Sequence, residues 1–160
     1  TFEDLIVGAY PQNLCSEVGD FIIRRRDRLF SYQLAVAVDD QFQHISHIIR
    51  GSDLLDSTPR QLYLQGCLGA SAEQTAAMQY GHLPLAVNGE GQKLSKQNHA
   101  PALIPGEESS NLWLALEWLQ QAPPVELRSE NSATILSWAI SNWSLAKIPN
   151  CAEIPAPNSV

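Results

Sequence analysis

Lys93-Leu94-Ser95-Lys96 sets two ammonium groups three positions apart with a hydroxyl between them. The preceding stretch, Asn88-Gly89-Glu90-Gly91-Gln92, carries two glycines, which reads as a mobile loop that can come close to a ligand. Lysine is a point charge with several donors, so Lys93, Ser95 and Lys96 suit a polyphosphate whose charge moves during a reaction. Alone the motif is short, and a solvated turn uses the same residues. A second group of cations is Arg24, Arg25, Arg26 and Arg28, within five positions. It offers a local patch to a polyanion. The chain as a whole has 17 acids against 10 bases and a net charge of −7, which argues against non-specific nucleic-acid binding.

His44 and His47 have a ligand-like spacing, but no Cys or Glu completes a set, so no metal site is expected. Cys15, Cys67 and Cys151 are odd in number, far apart and without a CxxC. They favour neither a disulfide framework nor a zinc ribbon, and they point to a reducing, cytoplasmic setting.

The elements that must hold these groups are partly legible. A chain of 160 residues that is 44% hydrophobic fits one domain, or a domain with a small appendage. It has no apolar run long enough for a membrane span. The start, Thr1-Phe2-Glu3-Asp4, lacks Met and reads as a position inside a longer protein. Strands are expected at Leu5–Val7, Phe21–Ile23, Ile45–Ile49 and Leu83–Val87, the last weakened by Pro84. Tyr32–Val38 reads as a buried helix. Thr58-Pro59-Arg60-Gln61 reads as a helix start with Thr58 as cap and Gln61 completing a capping box, and the helix should stop at Gly69.

This alternation predicts an α/β layer over residues 1–105, with parallel strands near 45–50 and 83–87. Leu112, Ala115, Leu116 and Leu119 share one helical face, and Ile135, Leu136, Ala139, Ile140 and Trp143 share another. They predict a small helical unit over 106–150, with Trp113, Trp118, Trp138 and Trp143 in its core, followed by a frayed tail at 151–160.

Several ordered segments carry a family likeness. They are Asp20-Phe21-Ile22-Ile23-Arg24, Tyr32-Gln33-Leu34-Ala35, Val38-Asp39-Asp40, Ile49-Arg50-Gly51-Ser52-Asp53-Leu54-Leu55, Ser57-Thr58-Pro59-Arg60-Gln61, His82-Leu83-Pro84-Leu85 and Gly91-Gln92-Lys93-Leu94-Ser95-Lys96-Gln97. Together they resemble the second half of a glutamyl-tRNA synthetase-type class I catalytic domain, in the form found in its short bacterial paralogues. The likeness is detailed over residues 1–105 and loose beyond. It implies half of a Rossmann-type nucleotide-binding domain. It also implies a two-step ligase reaction: glutamate and ATP, with Mg2+, give glutamyl-adenylate and pyrophosphate, and the glutamyl group passes to a tRNA. In the paralogues the acceptor is the cyclopentene ring of queuosine in the anticodon of tRNA(Asp).

The resemblance also implies residue roles. Lys93 to Gln97 corresponds to the KMSKS loop, with Lys96 on the ATP phosphates. Tyr32 and Arg50 correspond to glutamate contacts, where a guanidinium can grip a carboxylate bidentately. Asp53 corresponds to an acidic position near the ATP ribose, and Leu85 and Ala86 to backbone beside the adenine. There are departures. The HIGH-type segment and the zinc-binding Cys/Tyr cluster of the paralogues belong to an N-terminal half outside this sequence. Val36 stands where discriminating glutamyl-tRNA synthetases tend to have Asn. Arg28 stands where Gly usually follows Asp27, which puts that turn in question. A 160-residue piece of such an enzyme is expected to be inactive alone and to self-associate through exposed apolar sheet surface. An ordinary glutamyl-tRNA synthetase and a non-catalytic nucleotide- or tRNA-binding module are the alternatives.

Overall fold

Two parallel strands that pair in register form the centre of the first sheet. In the computed structural model, which describes residues 1–95 and 102–157, these are β3 (His47–Gly51) and β4 (Gln79–Leu83), with Arg50 opposite His82. β1 (Phe2–Asp4) lies parallel to β4, and β2 (Gly8–Tyr10) closes an antiparallel hairpin with β1, so the order is β2-β1-β4-β3. Between β3 and β4 the chain passes through a 3-10 segment, Ser52–Ser57, and helices α2 (Thr58–Cys67) and α3 (Ala72–Ala77). Helix α1 (Tyr32–Phe42) precedes β3 and packs on α2. This is an α/β unit spanning Thr1–Leu83.

Several expectations from sequence need correction here. Leu5–Val7 is the turn of the first hairpin, not a strand, because one Asp4 carboxylate oxygen accepts the amides of Ile6 and Val7 at 2.9 and 3.0 Å. Phe21–Ile23 forms no strand either; it leads into a single bridge between Arg24 and Phe30, and Ile22 and Phe30 stay exposed. Helix α1 runs past Val38 to Phe42. It ends where His44 takes a left-handed φ of 54° and the Ile45 amide reaches back to the Asp40 carbonyl at 2.9 Å. Only Ala37 of α1 is fully buried, so the helix is amphipathic rather than buried.

Thr58 does not cap α2. The 3-10 segment runs straight into the helix, Thr58 is already helical, and its buried hydroxyl is used elsewhere. Gln61 completes no capping box; its side-chain amide donates to Gln33 Oε1 at 2.8 Å, across to α1. The expected end of α2 is found, with Gly69 at φ 96°.

The second unit is Pro84–Val160. The strand expected over 83–87 is divided at Pro84: Leu83 ends β4, and β5 (Leu85–Val87) pairs with β6 (Glu153–Pro155) in a separate two-stranded parallel sheet. Proline has no amide to continue a ladder. Residues 153–155 are therefore a strand and not part of a frayed tail. The Pro155 carbonyl accepts the Trp118 indole N–H at 2.8 Å, and the Ala156 amide donates to Val87 at 2.8 Å.

Helices α4 (Glu108–Trp118) and α5 (Ser132–Asn142) follow the two apolar faces read from sequence. Their core is Trp113, Leu114, Leu116, Ile135 and Ala139, with Trp138 packed against it. Trp143 is 42% exposed and lies outside that core, since α5 has ended one residue before it.

Two hairpin turns in the chain share one design. In Asn88–Gln92 the Gly91 amide donates to Asn88 O at 3.0 Å and the Asn88 amide to Gln92 O at 2.9 Å, with Gly91 at φ 74°. The stretch expected as a mobile loop is thus a closed turn. In Arg25–Leu29 the Arg28 amide donates to Arg25 O at 3.0 Å and the Arg25 amide to Leu29 O at 2.7 Å, with Arg28 at φ 69°. Arg28 therefore adopts the left-handed conformation that glycine takes at the equivalent place, against the steric cost of its Cβ. Replacing it should relieve that cost: Arg28→Gly should raise unfolding free energy by about 0.5–1 kcal/mol. Urea unfolding of both proteins checks this, and equal or lower stability of the variant would contradict it.

Candidate active site

Arg50 is the best-anchored of the residues expected to bind ligand. It lies near the carboxyl end of β3, half-buried, opposite His82 of β4. Its Nε–H donates to His82 Nε2 at 3.0 Å. Its Nη2 donates to Thr58 Oγ1 at 2.7 Å and to the Leu54 carbonyl at 3.3 Å. The guanidinium lies 5.6 Å over the Tyr80 ring. Burial pushes the Tyr80 phenol up to about 12, against a smaller lowering by Arg50, so the ring stays neutral and its face remains attractive to a cation.

His82 passes this anchoring on to β1. Its Nδ1 lies 2.6 Å from Asp4 Oδ2, and its own amide donates to Asp4 Oδ1 at 3.2 Å; both side chains are fully buried. Arginine Nε always carries its hydrogen, so His82 Nε2 must accept with its lone pair. The ring proton is then on Nδ1 and points at Asp4. Burial pushes the Asp4 carboxyl up. The hydrogen bonds from the His82 side chain and from the Val7, Ile6 and His82 amides outweigh that and hold it below its ordinary 3.8.

The side-on fork of Arg50 is therefore committed to the protein. The hydrogen bonds described for Arg50 use Nε and Nη2. Tyr32, the first residue of α1, is 51% exposed and makes no hydrogen bond with Arg50. Asp53 is exposed in the 3-10 segment that follows β3. Val36 is half-buried within α1.

The other expected site residues lie in the second unit. Leu85 and Ala86 are half-buried in β5. Lys93 is exposed and bridges Val87 across the Asn88–Gln92 turn, the Leu94 amide donates to Ala86 O at 2.8 Å, and Ser95 is half-buried. Lys96 lies outside the described residues. His44 and His47 are exposed; His47 Nδ1 lies 2.9 Å from the hydroxyl of Ser46. The three cysteines are exposed and unbridged. Among the described residues no group of three or more His, Cys, Asp or Glu side chains is arranged to hold a metal ion, and no helix is long and apolar enough to cross a membrane.

Sequence reasoning missed Asp4, Thr58 and Tyr80 as parts of the Arg50 site. It quoted His82 in a motif without giving it a role. No local pattern marks them, because all four reach Arg50 or His82 through the sheet or the start of α2.

Residues 1–104 match the family described as tRNA synthetases class I (E and Q), catalytic domain. The chain belongs to this family. It is 46% identical over 154 residues to the glutamyl-Q tRNA(Asp) synthetase of Pseudomonas aeruginosa, covering 96% of this chain and 51% of that protein. It is 48% identical to the Thiobacillus denitrificans protein of the same name, over 96% and 50%. It is 45% identical to that of Neisseria meningitidis serogroup C, over 96% and 50%. The chain thus spans about half the length of the curated relatives it matches.

With its pKa depressed on folding, Asp4 adds stability that is fully present above the unfolded value near 3.8 and is lost as pH falls through the folded value. Asp4→Asn should cost about 1–3 kcal/mol at pH 7. The gap to wild type should narrow below pH 4. Urea midpoints of both proteins at pH 7 and pH 3 measure it, and a gap unchanged with pH would contradict the assignment.

Proposed function

We propose that the full-length protein is an ATP-dependent ligase. It activates glutamate as glutamyl-adenylate and transfers the glutamyl group to queuosine in the anticodon of tRNA(Asp). The observation that carries this reading is 45–48% identity, over 96% of the chain, to relatives named glutamyl-Q tRNA(Asp) synthetase. The anchored guanidinium at the carboxyl end of β3 supports it, because ligands of parallel α/β sheets gather at that end.

In this reading Arg50 meets a glutamate carboxylate through Nη1, while His82 and Thr58 hold the remainder of its donor face. Tyr32 offers its hydroxyl to the same glutamate. Leu85 and Ala86 supply backbone beside the adenine, and Asp53 approaches the ribose. Lys93, Ser95 and Lys96 grip the phosphates of ATP, which binds with Mg2+. Glutamate oxygen attacks the α-phosphorus, pyrophosphate leaves, and Lys96 stabilises the charge that builds on the leaving group. The Arg24–Arg28 cations then serve the tRNA backbone.

Lys96→Ala in the full-length protein should slow adenylate formation by about 10²–10³-fold, the scale of losing one preorganised electrostatic donor. Glutamate-dependent ATP–pyrophosphate exchange measures it, and a near-wild-type rate would remove Lys96 from the mechanism. The acceptor is tested with radiolabelled glutamate and tRNA(Asp) with and without queuosine. Label should appear only on the queuosine-bearing tRNA. Label on the 3′ end of tRNA(Glu), with none on queuosine-bearing tRNA(Asp), would select an ordinary glutamyl-tRNA synthetase instead.

A further inference from the structure

We propose that His82, held by Asp4, is a positioning residue that sets the plane of the Arg50 guanidinium and so directs Nη1 at the substrate carboxylate. The proposal rests on the reading of Arg50 as a glutamate contact.

Three strands contribute in turn. Asp4 ends β1, His82 lies near the carboxyl end of β4, and Arg50 sits opposite it in β3. The Asp4–His82 contact, 2.6 Å long with both side chains at zero exposure, leaves the imidazole no freedom to rotate. The Nδ1 proton is used at Asp4, so Nε2 can only accept. Its acceptor direction is met by Arg50 Nε–H at 3.0 Å, with Thr58 Oγ1 at 3.3 Å on the same nitrogen. A guanidinium is rigid and planar, so two fixed donors define where the third nitrogen points. Nε at His82 and Nη2 at Thr58 are those two donors. Tyr80, stacked 6° from parallel with His82 at 6.4 Å, floors the same arrangement.

A purely structural Asp4–His82 pair would join β1 to β4 and need nothing from Nε2. The commitment of Nε2 to Arg50, at the end of the sheet where ligands gather, marks the pair as acting through the arginine. A buried histidine that holds another residue's orientation by its second nitrogen is a recurrent arrangement around functional groups.

Two isosteric replacements separate the functions of the ring. Asparagine places an amide donor where Nδ1 lies, keeps the Asp4 bond and loses the Arg50 acceptor. Glutamine places an amide oxygen where Nε2 lies, keeps the acceptor and loses the Asp4 bond. In the full-length protein, glutamate-dependent pyrophosphate exchange should show a glutamate KM raised about 10–100-fold in Arg50→Ala, the scale of a hydrogen bond to a charged group. His82→Asn should raise it about ten-fold with kcat within about three-fold, and His82→Gln, which keeps the acceptor without the Asp4 bond, should recover only part of that loss. The double variant Arg50→Ala with His82→Asn should be no worse than Arg50→Ala alone.

If Arg50→Ala leaves glutamate KM at the wild-type value, the glutamate-contact reading fails and the positioning proposal fails with it. If Arg50→Ala is damaging while His82→Asn is not, or if the two losses add in the double variant, the proposal is overturned and the reading of Arg50 stands. Should the His82 variants not fold, the wild-type protein decides. The Arg50 Nε–H, assigned by its loss in Arg50→Lys, should give a slowly exchanging 15N–1H signal, and exchange at the solvent rate would overturn the proposal.

Discussion

The buried contact between Asp4 and His82 is the constraint on which the candidate site depends. A carboxylate with no solvent exposure must have its lone pairs met, and Asp4 meets them with three backbone amides and one imidazole N–H. The same carboxylate thereby shapes three things. It turns the chain from β1 to β2, it holds β1 against β4, and it fixes the tautomer of His82. The tautomer in turn leaves one nitrogen able only to accept, and the arginine on the neighbouring strand supplies the donor.

Polar contacts also position the helices around this site. Gln33 of α1 bonds Ser57 at 3.0 Å and accepts from the fully buried Gln61 of α2 at 2.8 Å. Such bonds are directional, so they set the rotation of one helix about the other where apolar packing alone would tolerate sliding. Ala37 is the one fully buried residue of α1. The result is that Thr58, at the start of α2, arrives with its hydroxyl on Arg50 rather than on the helix amides. A residue type well suited to capping was used to hold a guanidinium because the preceding 3-10 turns leave no free helix start for it to cap.

In the second unit the organising contacts are indole and amide groups on backbone carbonyls. Trp113 donates to Pro124 at 3.0 Å and Trp118 to Pro155 at 2.8 Å. Gln121 is almost fully buried; it donates to Leu119 and Ser144 and accepts from the Ser144 amide. Prolines that cannot donate still offer carbonyls, and this unit uses them to hold the helices to the segments that follow. The Lys93 stretch is presented on the return arm of a closed turn, where the Leu94 amide bonds Ala86 of β5. The stretch proposed to grip phosphate and the proposed adenine-side backbone are therefore adjacent in one hairpin.

What the amino-acid order alone determined is what depends on near neighbours. Helical faces repeat within a few residues, so α4 and α5 were legible, as was the end of α2 at Gly69. The spacing of Lys93 to Lys96 and the place of Arg50 at a strand end could be read as expectations, because motif spacing is a local property. Other features depended on partners far along the chain. Asp4 and His82 are separated by 78 positions, and no periodicity records such a pair. The short strands β1, β2 and β6 follow from which carbonyls and amides happen to face one another, and three-residue strands have too little pattern to be read. Register between β3 and β4 decided that Arg50 faces His82, and only the folded sheet brings that register into being. Directional hydrogen bonds between distant segments, not composition or period, determined how the arginine points.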